Sequence, residues 1–162
     1  MEFERHDLLH LSQEGRERIF TELASKEFNE GGIGEMLLPE RFPNEEGIKA
    51  AIPGIVRREE FSPREGYIPV GFASWRSSEN GRFRVASFAK PEEIVSKGTP
   101  AEVLAKLPRK ENETFRTPAL KALAALRTGW TFPLALGVWG SAAMEIETGH
   151  AYTHQWSDLD VH

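Results

Sequence analysis

Apolar positions follow two rhythms along this chain. "DLLHL", Asp7 to Leu11, is a short apolar run and predicts a strand. Ser12 then stands where a helix cap is needed, and Ile19, Phe20 and Leu23 share one face of a helix reaching about Ala24. "NEGGIGEMLLPERFPN" carries three glycines and two prolines and reads as a loop. Asn44 is placed to cap a short helix, "EEGIKAA", which Pro53-Gly54 ends. The rhythm then shortens. "GIVRRE", "YIPVGFAS" and "RFRVASFA" predict three strands, joined by turns at "SPREG" and "SSENG" into an antiparallel meander.

The helical rhythm returns in the back half. Thr99-Pro100 is a helix start that Leu107-Pro108 stops. "RKENET" is polar and reads as a linker. Thr117-Pro118 repeats the start signal ahead of "ALKALAALR", which Gly129 closes. "WTFPLALGVW" predicts a strand buried on both faces, "SAAMEIETG" a short helix or turn, and "SDLDV" a last strand. The expected fold class is α+β. A small N-terminal α+β domain with the meander, residues 1–98, precedes a helix–strand–helix–strand domain, residues 99–162. The break falls between residues 90 and 112.

Composition narrows the classes. With 162 residues the chain is long enough for one ordinary or two small domains with real cores. A hydrophobic share of 40% with 28% charged residues is that of a water-soluble globular protein. The net charge is −5 and the signs are mixed, so no basic stripe answers a nucleic-acid backbone. Cysteine is absent, which removes disulfides, thiolate metal sites and cysteine nucleophiles. The N-terminus has no apolar signal core, and no apolar run nears the roughly 20 residues of a membrane helix. A cytoplasmic protein, bound neither to membrane nor to nucleic acid, is expected.

The chemistry concentrates at the end, in "WGSAAMEIETGHAYTHQWSDLDVH". On a strand, Asp158 and Asp160 share a face with Cα atoms roughly 6.6 Å apart. Leu159 faces the other way, toward the core. Two carboxylates so placed can converge on magnesium, which takes hard oxygen ligands and completes its shell with substrate phosphates. Gly140 and Ser141 stand where a buried strand gives way to a helix. Free backbone N–H groups and a positive dipole end favour phosphate there, and glycine admits it close to the backbone. Taken singly, Gly-Ser is an ordinary turn and Asp-x-Asp an ordinary solvated edge. Their order, from buried strand through Gly-Ser, helix and loop to an Asp-x-Asp strand, points to a metal–phosphate site, with two unrelated turns as the open alternative.

The same residues carry a resemblance. Gly-Ser ahead of an Asp-x-Asp strand resembles the nucleotidyltransferase superfamily. "GSAAMEIETG" with "SDLDV" is similar, more narrowly, to the phosphoribosyl-dephospho-CoA transferases, the malonate decarboxylase holo-[acyl carrier protein] synthases. "RHDLLHL", "IVRRE", "YIPVGF" and "TPALKALAAL" extend the likeness over most of the chain. The resemblance implies the first half of a nucleotidyltransferase-type αβαβ domain and a Mg²⁺ cofactor. It implies triphosphoribosyl-dephospho-CoA as donor and a serine of the malonate decarboxylase acyl carrier protein as acceptor, with pyrophosphate released. Asp158 and Asp160 match the metal ligands and catalytic acids. Gly140 and Ser141 match the phosphate-holding turn, and Ser157 the serine before the acids, where it supports the loop. The family pattern has a third acid on a further strand. The sequence stops two residues after Asp160, so a domain truncated after the Asp-x-Asp strand is expected. The alternatives are a non-catalytic module that binds nucleotide or carrier protein, and another minimal nucleotidyltransferase using ATP.

Other constellations compete weakly. His150, His154 and Asp158 are spaced for zinc on a helix, but Gly149 and "AYTHQW" predict a loop or strand there. Arg57, Arg58, Arg82 and Arg84 read as a solvated sheet face, or as forks for a polyphosphate or an acidic carrier protein. Trp156, next to the acids, is the aromatic suited to stacking on a base. "WGSAA" lacks the second glycine of a serine-hydrolase elbow.

Overall fold

The computed structural model describes residues 2–26, 30–45, 47, 50–58, 64–109 and 114–162. It is mixed α+β and divides into two compact units, Met1–Lys97 and Gly98–His162. Among the described residues no helix is long and apolar enough to cross a membrane.

In the first unit, β1 (Leu8–Leu11) leads through Ser12 into α1 (Gln13–Ala24). The Ser12 hydroxyl accepts the Gly15 N–H at 3.1 Å and satisfies one of the open donors of the first turn. Helix α2 (Glu30–Leu37) occupies the glycine-rich stretch that composition alone reads as a loop. Ile33, Met36 and Leu37 fall at helical spacing and are fully buried, and burial of such side chains at ~1.5–3 kcal/mol each outweighs the propensity penalty of the glycines. Gly34 is needed for packing, because the Phe42 ring lies where its side chain would be. The short helix expected at residues 45–51 falls partly on residues 46, 48 and 49, outside the described ones.

The meander is present. Strands β2 (Gly54–Val56), β3 (Ile68–Ser78) and β4 (Gly81–Ala89) pair antiparallel in turn, and β2 also pairs antiparallel with β1. A 3-10 turn at Pro91–Glu93 then feeds β5 (Ile94–Gly98), which the sequence pattern did not announce. The sheet order is β4-β3-β2-β1-β5. The register shifts between Ala73 and Ser77, and the resulting bulge buries Ser74 and Trp75 together, where strict alternation would have split them. Helix α1 packs on β4 and α2 on β3. Arg18 ties the layers with a two-pronged ion pair to Glu93, at 2.6 and 2.7 Å, and a bond to the Phe88 carbonyl at 2.8 Å.

In the second unit, α3 (Pro100–Ala105) opens with a complete capping box. The Glu102 N–H meets the Thr99 hydroxyl, and the Thr99 N–H meets the Glu102 carboxylate. Helix α4 (Pro118–Gly129) begins after Thr117 as expected, yet the Thr117 hydroxyl makes no cap bond and turns to Thr153. The linker expected at 109–114 falls largely on 110–113, outside the described residues. Next come β6 (Val138–Trp139), α5 (Gly140–Thr148) and β7 (Asp160–Val161). Strand β6 pairs antiparallel with β7 in a sheet of two strands. Val103, Leu104, Leu120, Leu123, Val138, Met144 and Tyr152 form this unit's core.

The buried strand expected over 130–139 is corrected to its last two residues. Phe132 is 67% exposed and Leu134 74%. Pro133 interrupts the ladder, and the Trp130 indole N–H bonds the Leu134 carbonyl at 2.8 Å, closing a local turn in place of a strand.

Candidate functional site

The site is built where β6 ends. Trp139 pairs with Asp160 and Val138 with Val161, and reciprocal bonds between Gly137 and His162, at 2.8 and 3.0 Å, extend the pairing. Gly140 follows at φ +70°, a left-handed conformation that turns the chain straight from strand into helix. The missing side chain is occupied by Asp160. A Cβ on Gly140 would stand 3.3 Å from the Asp160 Cγ and in outright collision with Oδ2. The Asp160 carboxylate thus lies against the first residue of α5, beside the end that carries the positive half of the helix dipole.

Asp158 lies two residues upstream and is exposed. It belongs to the irregular segment before β7, so the expected five-residue strand "SDLDV" is corrected to Asp160–Val161. The reason lies in the partner strand. Trp139 is the last residue of β6 before Gly140 turns away, so nothing continues the ladder opposite Leu159 and Asp158. Strand alternation therefore does not set the relation of the two aspartates, and Leu159 is half-buried rather than a core anchor.

Ser157 closes a turn. Its hydroxyl accepts the His154 N–H at 2.8 Å, its own N–H bonds the His154 carbonyl at 3.1 Å, and the Trp156 N–H reaches His154 Nδ1 at 3.2 Å. That turn lifts Trp156 to 85% exposure. His150 is buried and His154 exposed in a segment that is not helical, so they do not form a ligand line. Among the described residues no three His, Cys, Asp or Glu side chains gather as a metal cage. Arg57, Arg58, Arg82 and Arg84 all lie in the first unit. Arg58 and Arg84 are exposed, Arg82 is half-buried, and the Arg57 stem lies over Gly71.

A second cluster joins residues far apart in the sequence. Glu145 on α5 receives Arg116 twice, Nε and Nη2 each at 2.8 Å. It also receives the backbone N–H and the hydroxyl of Thr153, both at 2.7 Å. Arg116 donates further to the Thr153 carbonyl. Because the single Thr153 hydroxyl proton goes to Glu145, the Thr117 hydroxyl must be the donor in its 2.8 Å bond to Thr153 Oγ1. Burial alone would favour the neutral Glu145 acid, but the Arg116 and Thr153 bonds outweigh it and hold its pKa below the ordinary value. The Glu145 bonds in turn raise the Arg116 pKa. Arg116 lies 29 residues from Glu145 and 37 from Thr153, so no local spacing announces the cluster. Nearby, Lys106 binds Glu147 at 2.6 and 2.8 Å. The cleft of about 300 Å³ lined by Lys106, Arg116 and Glu145 therefore has its cations matched by acids.

The chain is a transferase assembled from two α+β units. Its first part, residues 4–100, matches the phosphoribosyl-dephospho-CoA transferase MdcG N-terminal domain, and residues 103–162 match the MdcG C-terminal domain. It belongs to that family, the phosphoribosyl-dephospho-CoA transferases that act on the malonate decarboxylase acyl carrier protein. No curated protein and no solved structure matches it.

Proposed function

We propose that residues 99–162 are a nucleotidyltransferase-type catalytic domain in which Asp158 and Asp160 hold Mg²⁺ and Gly140 and Ser141 hold the phosphates of the donor. The observation that carries this reading is the Asp160 carboxylate lying against Gly140 at the start of α5. It brings an acid and a glycine-opened helix start to one spot. The order α4–β6–α5–β7 supports the same reading.

The donor set fits the ion. Magnesium is commonly held by one or two carboxylates, with substrate phosphates completing its shell, and Asp158 and Asp160 supply carboxylates of that kind. When bound, the metal supplies charge neutralisation to the triphosphate and its departing pyrophosphate.

The chain's own residues do the rest. The backbone N–H groups at Gly140 and Ser141 orient the polyphosphate, and Ser157 keeps the loop before Asp158 in its turn. The carrier-protein serine oxygen attacks the α-phosphorus of the donor. The bond to the pyrophosphate oxygen breaks, the serine proton is lost, and a phosphodiester joins phosphoribosyl-dephospho-CoA to the carrier protein. Holding these groups in line is the main contribution asked of the protein.

The test uses purified apo carrier protein, the triphosphoribosyl donor and Mg²⁺. Asp158→Asn and Asp160→Asn should each abolish pyrophosphate release while the fold is kept. Undiminished release by both variants would overturn the metal role. Binding of donor without release by the unaltered chain would make it a non-catalytic module, and labelling of protein from ATP would make it an ATP-using nucleotidyltransferase.

A further inference from the structure

We propose that Glu145, held by Arg116, is a positioning residue that sets where Asp158 stands relative to Asp160 and Gly140. The inference rests on the reading of Asp158 and Asp160 as metal-binding carboxylates.

Glu145 follows Ser141 by four residues, so both project from one face of α5. The carboxylate on that face captures Thr153, using its backbone N–H and its hydroxyl. Arg116 takes the Thr153 carbonyl, so the peptide groups on both sides of Thr153 are fixed. Seven residues later the chain is fixed again, where Asp160 pairs with Trp139. Between these anchors the His154–Ser157 turn takes up four residues. Only Asp158 and Leu159 remain, spanning the gap from the turn to the ladder.

The position of Asp158 is therefore the sum of two attachments to the same strand–helix unit. One is the β6–β7 ladder before Gly140, and the other is Glu145 one turn beyond Ser141. If the Glu145 attachment is cut, Asp160 keeps its place on Gly140, but Thr153 loses the carboxylate that holds its N–H and hydroxyl, leaving only Arg116 and Thr117 to hold that end of the segment carrying Asp158. Thr153 and Thr117 are buried, so the hydroxyl bond between them is shielded from competing water, while Arg116 reaches the cluster from its half-exposed side.

The test is Mn²⁺ binding followed by electron paramagnetic resonance, alongside steady-state kinetics and thermal melting. Glu145→Gln and Thr153→Val should each weaken Mn²⁺ binding about tenfold or more, the scale seen when groups supporting metal ligands are removed. kcat should fall while KM for the donor changes little, because the Gly140–Ser141 turn is untouched. Lys106→Ala breaks a different ion pair to α5 and should leave Mn²⁺ affinity unchanged. Thr153→Val carries the test if Glu145→Gln does not fold. A lowered melting temperature with wild-type Mn²⁺ affinity in the Glu145 and Thr153 variants would reduce the cluster to a structural brace and overturn the proposal. Asp160→Asn separates the two levels. Mn²⁺ binding that survives it, or is absent from the wild type, overturns the site reading and the proposal with it. If Asp160→Asn abolishes binding while the Glu145 and Thr153 variants retain it, only the positioning role fails.

Discussion

The Asp160 carboxylate occupies the space that a side chain on Gly140 would need, and Gly140 also has a positive φ of +70°. Glycine is thus required twice at this position, once for backbone and once for space. Gly149 separates the two demands: it has φ +75° and nothing within 4 Å of its would-be Cβ. Gly149→Ala should cost about 1–2 kcal/mol of stability, the ordinary penalty of the left-handed region, and leave transfer intact. Gly140→Ala should cost at least as much and also eliminate Mn²⁺ binding, because Asp160 must move. Urea unfolding and Mn²⁺ titration of the two variants check this. Equal Mn²⁺ affinity in both would show that the closeness of Gly140 and Asp160 has no functional weight.

Glu93 makes the first unit sensitive to acid. Arg18 hydrogen bonds dominate over burial and, with the Lys90 N–H, hold its carboxyl below the ordinary range. A carboxylate whose folded pKa is depressed adds stability above its unfolded value of about 4.3, and that stability is lost as pH falls through the folded value. Glu93→Gln should therefore cost about 2 kcal/mol at pH 7, the scale of hydrogen bonds to a charged group. The gap between variant and wild type should shrink as the pH is lowered below about 4. Denaturant midpoints measured across that range decide it, and a gap independent of pH would refute the assignment.

Arg127 holds the end of α3. Its guanidinium donates to the carbonyls of Leu104 at 3.3 Å, Leu107 at 2.5 Å and Pro108 at 2.7 Å, at and just beyond the end of the helix, where the Leu104 carbonyl also accepts the Leu107 N–H. Burial, with Arg109 nearby, lowers its pKa but leaves it charged at any working pH. Arg127→Met keeps the stem and removes the donors. It should destabilise the second unit by about 1–3 kcal/mol, since the carbonyls lose charged donors. Amide exchange should quicken in α3 first. Unchanged protection there would argue that water replaces the guanidinium without loss.

The parts of the fold that were legible are those where one local rule acts alone. Ser12 before an apolar face, the Thr99 capping box and the alternating meander each declare themselves within a dozen residues. Helix α2 did not, because three glycines masked the spacing of Ile33, Met36 and Leu37. Strand β5 was hidden for a similar reason: only Gly98 along it is buried, so no apolar alternation marks it. At the other extreme, the apolar run before Trp139 over-announced a strand that Pro133 and a two-stranded sheet cannot sustain. The Gly-Ser and Asp-x-Asp motifs were readable because each is short. The bonds among Arg116, Glu145 and Thr153 join distant residues and exist only once the second unit has folded.

Trp156 is the most exposed of the large apolar side chains described, yet its backbone is pinned by the His154–Ser157 turn. An uncovered indole on a pinned backbone, two residues from Asp158, is suited to stack on a planar ring, and the donor carries an adenine. Stacking of a base on an aromatic side chain is worth roughly 1–3 kcal/mol. Trp156→Ala should accordingly raise KM for the donor by about tenfold, with kcat and KM for the carrier protein little changed. Trp156→Phe should recover most of the loss, since a ring face is what the contact needs. Free adenosine should quench the indole fluorescence of the wild type and compete with the donor. If Trp156→Ala instead raised KM for the carrier protein alone, the indole would belong to the protein–protein contact and the stacking role would fall.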